Sequence, residues 1–446
     1  MELYKGKVEI ESLSRLYESA PQYVTEQPAF LNAAAVIRTT LAPLDLLRAL
    51  KHVEKQLGRE FGAEQIRWGP RPIDLDIVFY EEETVLQGET LVIPHPRWQE
   101  RDFVKAPMAD LLRASKVDQA TGLNKNLHIA KKLWESQGGE LAVRKYSMNQ
   151  SLQCVLPVGS GTVWAWSNQT HVMGILNATP DSFSDGGIHL NAKAAVNSAA
   201  QMVEDGADII DIGGQSTRPG AEVLEPAQEW NRVKPVLEAM KGDERFEGIP
   251  ISIDTFYSKV AEQAVASGAT MVNDISGGKG DSAMFDVVAD LCVPYIMMHI
   301  KGNPRTMHDR NLQVYENICQ EVGHSLSELC TEASLAGIEA WRLILDPGIG
   351  FSKSTDGNLD LISGIQKIRQ AMESPFQNLP ILMGPSRKKF LGDVTGRESP
   401  TDREWATCAI SAISALQGAN IIRAHNVKAV KDAVKVADSI SNRLHG

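Results

Sequence analysis

From residue 172 onward, eight short apolar runs each end in residues able to do chemistry. In order these are Asn177, the loop Gly213-Gly214-Gln215-Ser216-Thr217-Arg218-Pro219-Gly220, Asp254, Asn273-Asp274, His299, Asp346, Ser386-Arg387-Lys388, and Arg423 with His425. Asp254, Asn273, Asp346 and Lys388 together offer acceptors, an amide and a cationic donor. That set suits a flat heterocycle with amino and oxo groups on its edge, because a carboxylate accepting two parallel N–H bonds both binds and orients. Arg423, His425, Arg218, the glycine-rich loop and Asn177 are cationic or amide-like and suit a phosphate or pyrophosphate. A heterocycle beside a pyrophosphate site suggests displacement of pyrophosphate, a step that needs stabilised leaving-group charge and a positioned nucleophile. No Ser/His/Asp or Cys/His arrangement stands out, so no covalent enzyme intermediate is expected. A lone Asn or Asp after a strand is usually a turn or cap residue. Eight polar ends in a row are harder to explain that way, since burying such groups without partners costs a few kcal/mol each.

A second constellation lies near the N-terminus, in Arg67-Trp68-Gly69-Pro70-Arg71-Pro72-Ile73-Asp74-Leu75-Asp76-Ile77-Val78-Phe79. On a strand, residues two apart share a face, so Asp74 and Asp76 point the same way. Paired carboxylates beside arginines suit a hard metal ion that holds nucleotide phosphates. Taken alone, such a pair reads first as a solvated strand face beside arginines; the longer string RWGPRPIDLDI reverses that preference. His95 and Arg101 follow within IPHPRWQERDF.

The elements that must position these residues differ in the two halves. From His171 onward, strand candidates (172–176, 209–212, 249–253, 271–273, 295–298, 343–345, 381–383, 421–422) alternate with amphipathic runs (193–204, 229–240, 259–267, 314–336, 359–372, 404–416), and 427–440 closes the chain. Eight strand–helix units predict an α/β fold, a (β/α)8 TIM barrel, whose strand C-termini share one pocket. A doubly wound sheet is the competing topology, disfavoured by the count of eight and the lack of an early GxGxxG. The first part reads as α+β, with strands over 13–19 and 30–40 and a helix over 44–58 that has Pro43 before it and Gly58 after it. The expected domains are 1–125, a connection over 126–165 with a short helix near 126–136, and the barrel over 166–446.

Bulk properties narrow the function classes. The length of 446 residues allows about three domains. A net charge of −11 argues against nonspecific nucleic-acid or membrane-surface binding. Five cysteines without a CxxC pair suit free thiols in a reducing compartment. A cytoplasmic setting is expected, or a mitochondrial one if a presequence precedes Met1.

The strings MGILNATPDSFSDGG, DIIDIGGQSTRPG, ISIDT, MVNDISGG, MHIKGNPRTM, LDPGIGF, GPSRKKFLG and RAHNV resemble, in order, those of dihydropteroate synthase. That family condenses a dihydropterin methyl pyrophosphate with 4-aminobenzoate and releases pyrophosphate. The resemblance implies that Asp254, Asn273, Asp346 and Lys388 hold the pterin. It gives Thr217, Arg218, Arg423 and His425 to the pyrophosphate and Asn177 to a Mg²⁺ site. Residues 179–187, with Asp185, and 216–220 would close over the substrates and bind aminobenzoate, while Met298 and Phe351 would line the pocket. Sulfonamides are the inhibitors, and a homodimer the assembly, that the resemblance implies. Ala178 and Ile349 depart from the larger apolar residue and the Phe usual in the family. The other pterin barrel, a methyltransferase acting on methyl-tetrahydrofolate, needs neither the STRPG loop nor the SRK segment.

Residues 1–125 resemble hydroxymethyldihydropterin pyrophosphokinase through LYESAPQYVTEQPAFLNAAAVI, RWGPRPIDLDIVFY and VIPHPRWQERDFVKAPMADLL. The resemblance implies pyrophosphate transfer from ATP to the pterin alcohol. Asp74 and Asp76 would bind two Mg²⁺, Arg59, Arg71, His95 and Arg101 would serve ATP, and Asn32, Trp68 and Phe103 the pterin. The family's ferredoxin-like domain opens with a strand ending near GSN and a helix, both of which precede the point where this chain begins. Weak or absent kinase activity is therefore expected, with a docking or dimerising role for residues 1–125 as the non-enzymatic reading.

Overall fold

The computed structural model describes residues 6–21, 24–61, 69–81, 83–88, 90–114, 152–158, 162–166, 169–178, 188–215, 223–303, 306–307, 309–373 and 376–445. The chain divides into two compact units, Met1–Val155 and Leu156–Gly446.

The first unit is α+β. Its strands are β1 (Val8–Leu13), β2 (Leu16–Ser19), β3 (Phe30–Asn32), β4 (Ala35–Thr39), β5 (Val85–Gln87), β6 (Leu91–Ile93) and β7 (Leu152–Pro157); its helices are α1 (Pro43–Gln56) and α2 (Asp102–Ala114). β1 pairs antiparallel with β4, and β5 with β6, while β2 lies between β3 and β7. The run expected as one strand over 13–19 is thus two, and so is 30–40. Ser14 accounts for both breaks: its backbone N–H donates to Ala34 O at 2.9 Å, and its hydroxyl accepts from Ala34 N at 2.8 Å. β7 falls within the stretch expected as a connection, and residues 126–136 lie outside the described residues. Residues 73–79 pair with no other described strand, contrary to the expected ladder, but the alternation survives. Asp74 and Asp76 face outward, and Ile77 is buried with Leu46, Leu91 and Ile93.

The second unit opens with β8 (Val163–Ala165) and then builds the barrel. Its elements are β9 (His171–Asn177), α3 (Ile188–Glu204), β10 (Ile209–Gly213), α4 (Pro226–Met240), β11 (Ile251–Asp254), α5 (Ser258–Ala266), β12 (Met271–Asp274), α6 (Met284–Leu291), β13 (Tyr295–Met298), α7 (Ile318–Leu335), β14 (Leu343–Asp346), α8 (Thr355–Ser363), α9 (Ile365–Ala371), β15 (Leu382–Met383), α10 (Lys389–Thr395), α11 (Glu404–Leu416), β16 (Ile421–Ala424) and α12 (Val427–His445). Eight parallel strands run in the order β14-β13-β12-β11-β10-β9-β16-β15, and a single bridge from Leu345 to Ile381 joins the two ends. The strands are nearly continuous runs of Ile, Leu, Val and Met, as burial on both faces demands. The expected run 359–372 is two helices, broken at Gly364, where a side chain would collide with Cys319 Sγ and Asp360 O. α6 supplies the helix of the fourth strand–helix unit, outside the amphipathic runs named from the sequence.

Register carries the strand ends to one rim. Asn177 is level with Gly213, Gly213 with Asp254, Asp254 with Asn273, and Met298 with Asp346. Arg423 lies deeper, opposite Met173. The opposite rim is also polar. There Asp438 accepts from Thr170 N (2.8 Å) and Oγ1 (2.7 Å), and Asp208 accepts from Val172 N and Lys431 Nζ, both at 2.7 Å. These contacts fasten α12 to the first barrel strand.

Candidate active site

The barrel site is built on a buried charge network. Arg423, from β16, donates through Nε to Asp211 Oδ2 at 2.6 Å and through a terminal nitrogen to Asp254 Oδ2 at 2.7 Å. Asn273 Nδ2 donates to the same Asp211 oxygen at 3.0 Å. Asp211 is fully buried in the middle of β10. It was missed because an expectation built on strand ends passes over a strand interior; a carboxylate inside the otherwise apolar run IIDIG was the available signal. Arg423, expected beside a pyrophosphate, is here tied to the carboxylates of Asp211 and Asp254.

Burial pushes Asp254 up to about 7 against the opposing pull of Arg423, with Asp211, Asp274 and Asp346 adding to the rise. Burial also raises Asp346, opposed by Lys388 and by the Gly348 N–H, which donates to Oδ1 at 2.7 Å. Burial lowers Lys388 to about 8, while Asp346 pulls it back up. The Lys388 ammonium donates to the Ile349 carbonyl and lies 4.4 Å from the centroid of Phe351. Such a cation over a ring gains from the quadrupole when desolvated. Phe351 packs with Met298, Met307 and Ile275 as the apolar wall. Gly348 (φ +73°) and Gly350 (φ +82°) make this turn: a Cβ on the first would strike the His299 carbonyl, and one on the second would lie 2.6 Å from Lys388 Cδ. His425 Nδ1 and the Ser386 hydroxyl are 2.9 Å apart. Asn177 ends β9 with its side chain half-buried. Ala178 and Ile349 are both buried, and Ile349 contributes its backbone oxygen to Lys388 whatever its side chain. Thr217, Arg218 and Asp185 lie outside the described residues.

In the first unit, Asp74 pairs with Arg59 at 2.5 Å and Arg71 at 3.0 Å. Asp76 is 3.8 Å from His95 Nε2. His95 Nδ1 accepts from Arg97 N at 3.1 Å, which leaves Nε2 to carry the proton toward Asp76. Burial lowers His95, with Asp76 opposing and Arg101 assisting. Arg101 lies over Phe103 at 5.6 Å. Asn32 makes its contacts elsewhere, donating to Ser19 Oγ at 2.9 Å. Trp68 lies outside the described residues. No group of three or more His, Cys, Asp or Glu fit for a metal occurs among the described residues. Two outward carboxylates nevertheless match a Mg²⁺ ion completed by phosphate oxygens and water, and the Asn177 amide oxygen is a hard donor of the same kind.

A barrel with pterin-type acceptors at its strand ends defines the class: residues 173–425 match the pterin binding enzyme family, and residues 1–113 match the 7,8-dihydro-6-hydroxymethylpterin-pyrophosphokinase family. A mitochondrial folate synthesis bifunctional protein of Pisum sativum is 47% identical over 98% of this chain and 84% of its own length. Dihydropteroate synthase of Synechocystis is 44% identical over 64% of this chain and 94% of its own. Among solved structures, Xanthomonas albilineans dihydropteroate synthase with 4-aminobenzoic acid superposes with a TM-score of 0.58 at 38% identity, covering 65% of this chain and 98% of that one. The Yersinia pestis enzyme with a sulfonamide drug does so with a TM-score of 0.58 at 33% identity over 65% of this chain and 99% of that one. The chain belongs to the bifunctional folate synthesis proteins: a dihydropteroate synthase barrel joined to a pyrophosphokinase-type α+β domain. No helix among the described residues is long and apolar enough to cross a membrane.

Proposed function

We propose that the barrel condenses (7,8-dihydropterin-6-yl)methyl diphosphate with 4-aminobenzoate. The observation that carries this reading is the convergence of Asp254, Asn273, Asp346 and Lys388 around Arg423 and the buried Asp211. Asp254 and Asp346 accept the N–H groups of the pterin edge, Asn273 and Lys388 bind its remaining polar atoms, and Met298 and Phe351 flank the ring. The aminobenzoate nitrogen forms a bond to the exocyclic methylene carbon as the carbon–oxygen bond to diphosphate breaks. Diphosphate leaves with the bonding pair, and the amine gives up one proton. Arg423 and His425 stand where leaving-group charge develops, and electrostatic stabilisation there is worth several kcal/mol in a dry site. Thr217, Arg218 and Asp185 complete the diphosphate and aminobenzoate contacts. Mg²⁺ at Asn177 would neutralise diphosphate charge when bound. Sulfonamides compete for the aminobenzoate position, and the assembly is a homodimer in a thiol-reducing compartment, cytoplasmic or mitochondrial.

Pyrophosphate transfer from ATP to 6-hydroxymethyl-7,8-dihydropterin is the matching activity of the first unit. Asp74 and Asp76 would hold Mg²⁺, and Arg59, Arg71, His95 and Arg101 would hold the phosphates. Two assays on the full chain test these readings separately. Supplied with the pterin diphosphate and aminobenzoate, the chain forms dihydropteroate and diphosphate, and Lys388→Ala or Asp254→Ala cuts that rate by about a hundredfold; near-normal turnover in either variant refutes the pocket. Supplied instead with ATP and 6-hydroxymethyl-7,8-dihydropterin, the chain releases AMP and forms the pterin diphosphate; absence of AMP release refutes the kinase reading of the first unit.

A further inference from the structure

Lys353 stands behind the pocket turn, and no step above uses it. It is only 6% exposed, yet it forms no ion pair among the described residues. A buried ammonium is costly unless its donors are met. Here three acceptors surround the Nζ: Phe351 O at 2.8 Å, His299 Nδ1 at 3.1 Å and His299 O at 3.3 Å. His299, which directly follows β13, is itself buried, and its Nε2 has no hydrogen-bond partner among the described residues.

These contacts close the turn that holds Lys388. The turn leaves β14 at Asp346, and Lys388 meets it at the Ile349 carbonyl and the Phe351 ring. Asn358 of α8 holds its middle, accepting from Gly350 N through Oδ1 at 2.6 Å. Ser352 sits at a left-handed φ of +52°, with its hydroxyl donating to Lys301 O. A non-glycine residue keeps such a conformation only where its neighbours impose it. The His299 N–H donates to Asp346 O at 2.9 Å. Lys353 therefore ties the end of β13, with Met298 and His299, to the end of β14, with Asp346 and Phe351.

We propose that Lys353 is a positioning residue for pterin binding, and that the His299 imidazole lets this clamp survive a change of charge. As an ammonium, Lys353 donates to both carbonyls and to Nδ1, so the His299 proton sits on Nε2. As an amine, it has two N–H groups and a lone pair. The ammonium proton passes to Nδ1, the Nε2 proton leaves for solvent, and the lone pair then accepts from Nδ1–H. One proton is lost and all three contacts remain. Burial lowers Lys353 to about 7, opposed by Asp346 and assisted by Lys388 and Lys301. Burial, with Lys353, Lys301 and Lys279, holds His299 well below its ordinary value, so the imidazole stays neutral while the pair titrates.

This inference rests on the proposed synthase reading, and its test separates the two. Heteronuclear NMR of the histidine-labelled full chain follows the imidazoles over a unit on either side of about 7. His299 exchanges one neutral tautomer for the other, Nε2–H below and Nδ1–H above, and its signal is missing from His299→Gln. A histidine titrating on its own passes between imidazolium and neutral forms, a different signature. Lys353→Met keeps the length without the donors. Its His299 shows no change of tautomer over the range. Its KM for the pterin diphosphate at neutral pH rises about tenfold, as for a lost hydrogen bond to a charged group, while kcat stays within about twofold. A thermal midpoint near that of the wild type establishes its folding, and the wild-type spectrum decides without it. One His299 tautomer throughout in the wild type, or a KM within about twofold of wild type in folded Lys353→Met, overturns the inference while leaving the synthase reading intact. Absence of any dihydropteroate from the wild type overturns the reading beneath it.

Discussion

Removing the Asp211 carboxylate isolates what the buried network does. In Asp211→Ala, Oδ2 no longer accepts from Arg423 Nε (2.6 Å) or Asn273 Nδ2 (3.0 Å). Breaking a buried pair by deleting one partner costs about 3–5 kcal/mol, because a desolvated charge is left behind. The lower end applies here: Arg423 keeps Asp254 at 2.7 Å and is 22% exposed, so water reaches part of the guanidinium. Asp211→Ala should therefore unfold about 3 kcal/mol more easily in urea. Its kcat/KM for the pterin diphosphate should fall about a hundredfold, since an Arg423 with one carboxylate instead of two swings toward Asp254 and competes with the pterin for it. Asp211→Asn keeps an acceptor for one of the two donors and should fall between Asp211→Ala and wild type in both measurements. A loss below about 1 kcal/mol together with turnover within threefold would show that Arg423 is placed by something other than this carboxylate.

Two further outcomes follow from the charges. Pterin recognition needs Asp254 ionised and Lys388 protonated, so kcat/KM for the pterin diphosphate rises with pH through about 7 and falls through about 8, a narrow bell; a flat profile over that range would refute the assigned charge states. At the opposite rim, burial acts to raise Asp208, but His171, Lys431 and the Val172 N–H outweigh it and hold the carboxyl below its ordinary value. An acid depressed in the folded state gives stability that is full above its unfolded value of 3.8 and is lost as pH falls through the folded one. Lys431→Met should thus cost about 1–2 kcal/mol at neutral pH and shrink the loss seen between neutral and strongly acidic pH. An unchanged acid-unfolding curve would count against that link.

The sequence made the barrel legible because its strands are buried on both faces. A run such as Ile209–Ile212 cannot be anything but interior, and the change from apolar to polar at Asn177, Asp254 and Asp346 coincides with the strand's last residue. The same logic hid Asp211. It is a carboxylate inside an element, and only the fold reveals which neighbour it meets: Arg423 lies 212 residues away from Asp211 in the chain. Periodicity reports which face a residue takes, not which distant residue shares that face.

The first unit was less legible for a related reason. Its pattern over 73–79 is that of a strand, and the outward carboxylates are realised, yet two side chains and one lone backbone bond hold this backbone where a ladder was expected. Glu54 Oε1 accepts from Leu75 N at 2.6 Å, Arg59 donates to Ile73 O at 3.3 Å, and His95 N donates to Val78 O at 3.0 Å. Alternation fixes the direction of Asp74 and Asp76 through burial of Ile77 alone. Pairing is a separate condition, met only if another segment supplies donors and acceptors at the right spacing. A fully buried Glu54, gripping Lys51 and Arg59 at 2.8 and 2.7 Å, meets that condition at Leu75. It thereby sets the backbone between the two carboxylates and the arginine that pairs with the first of them.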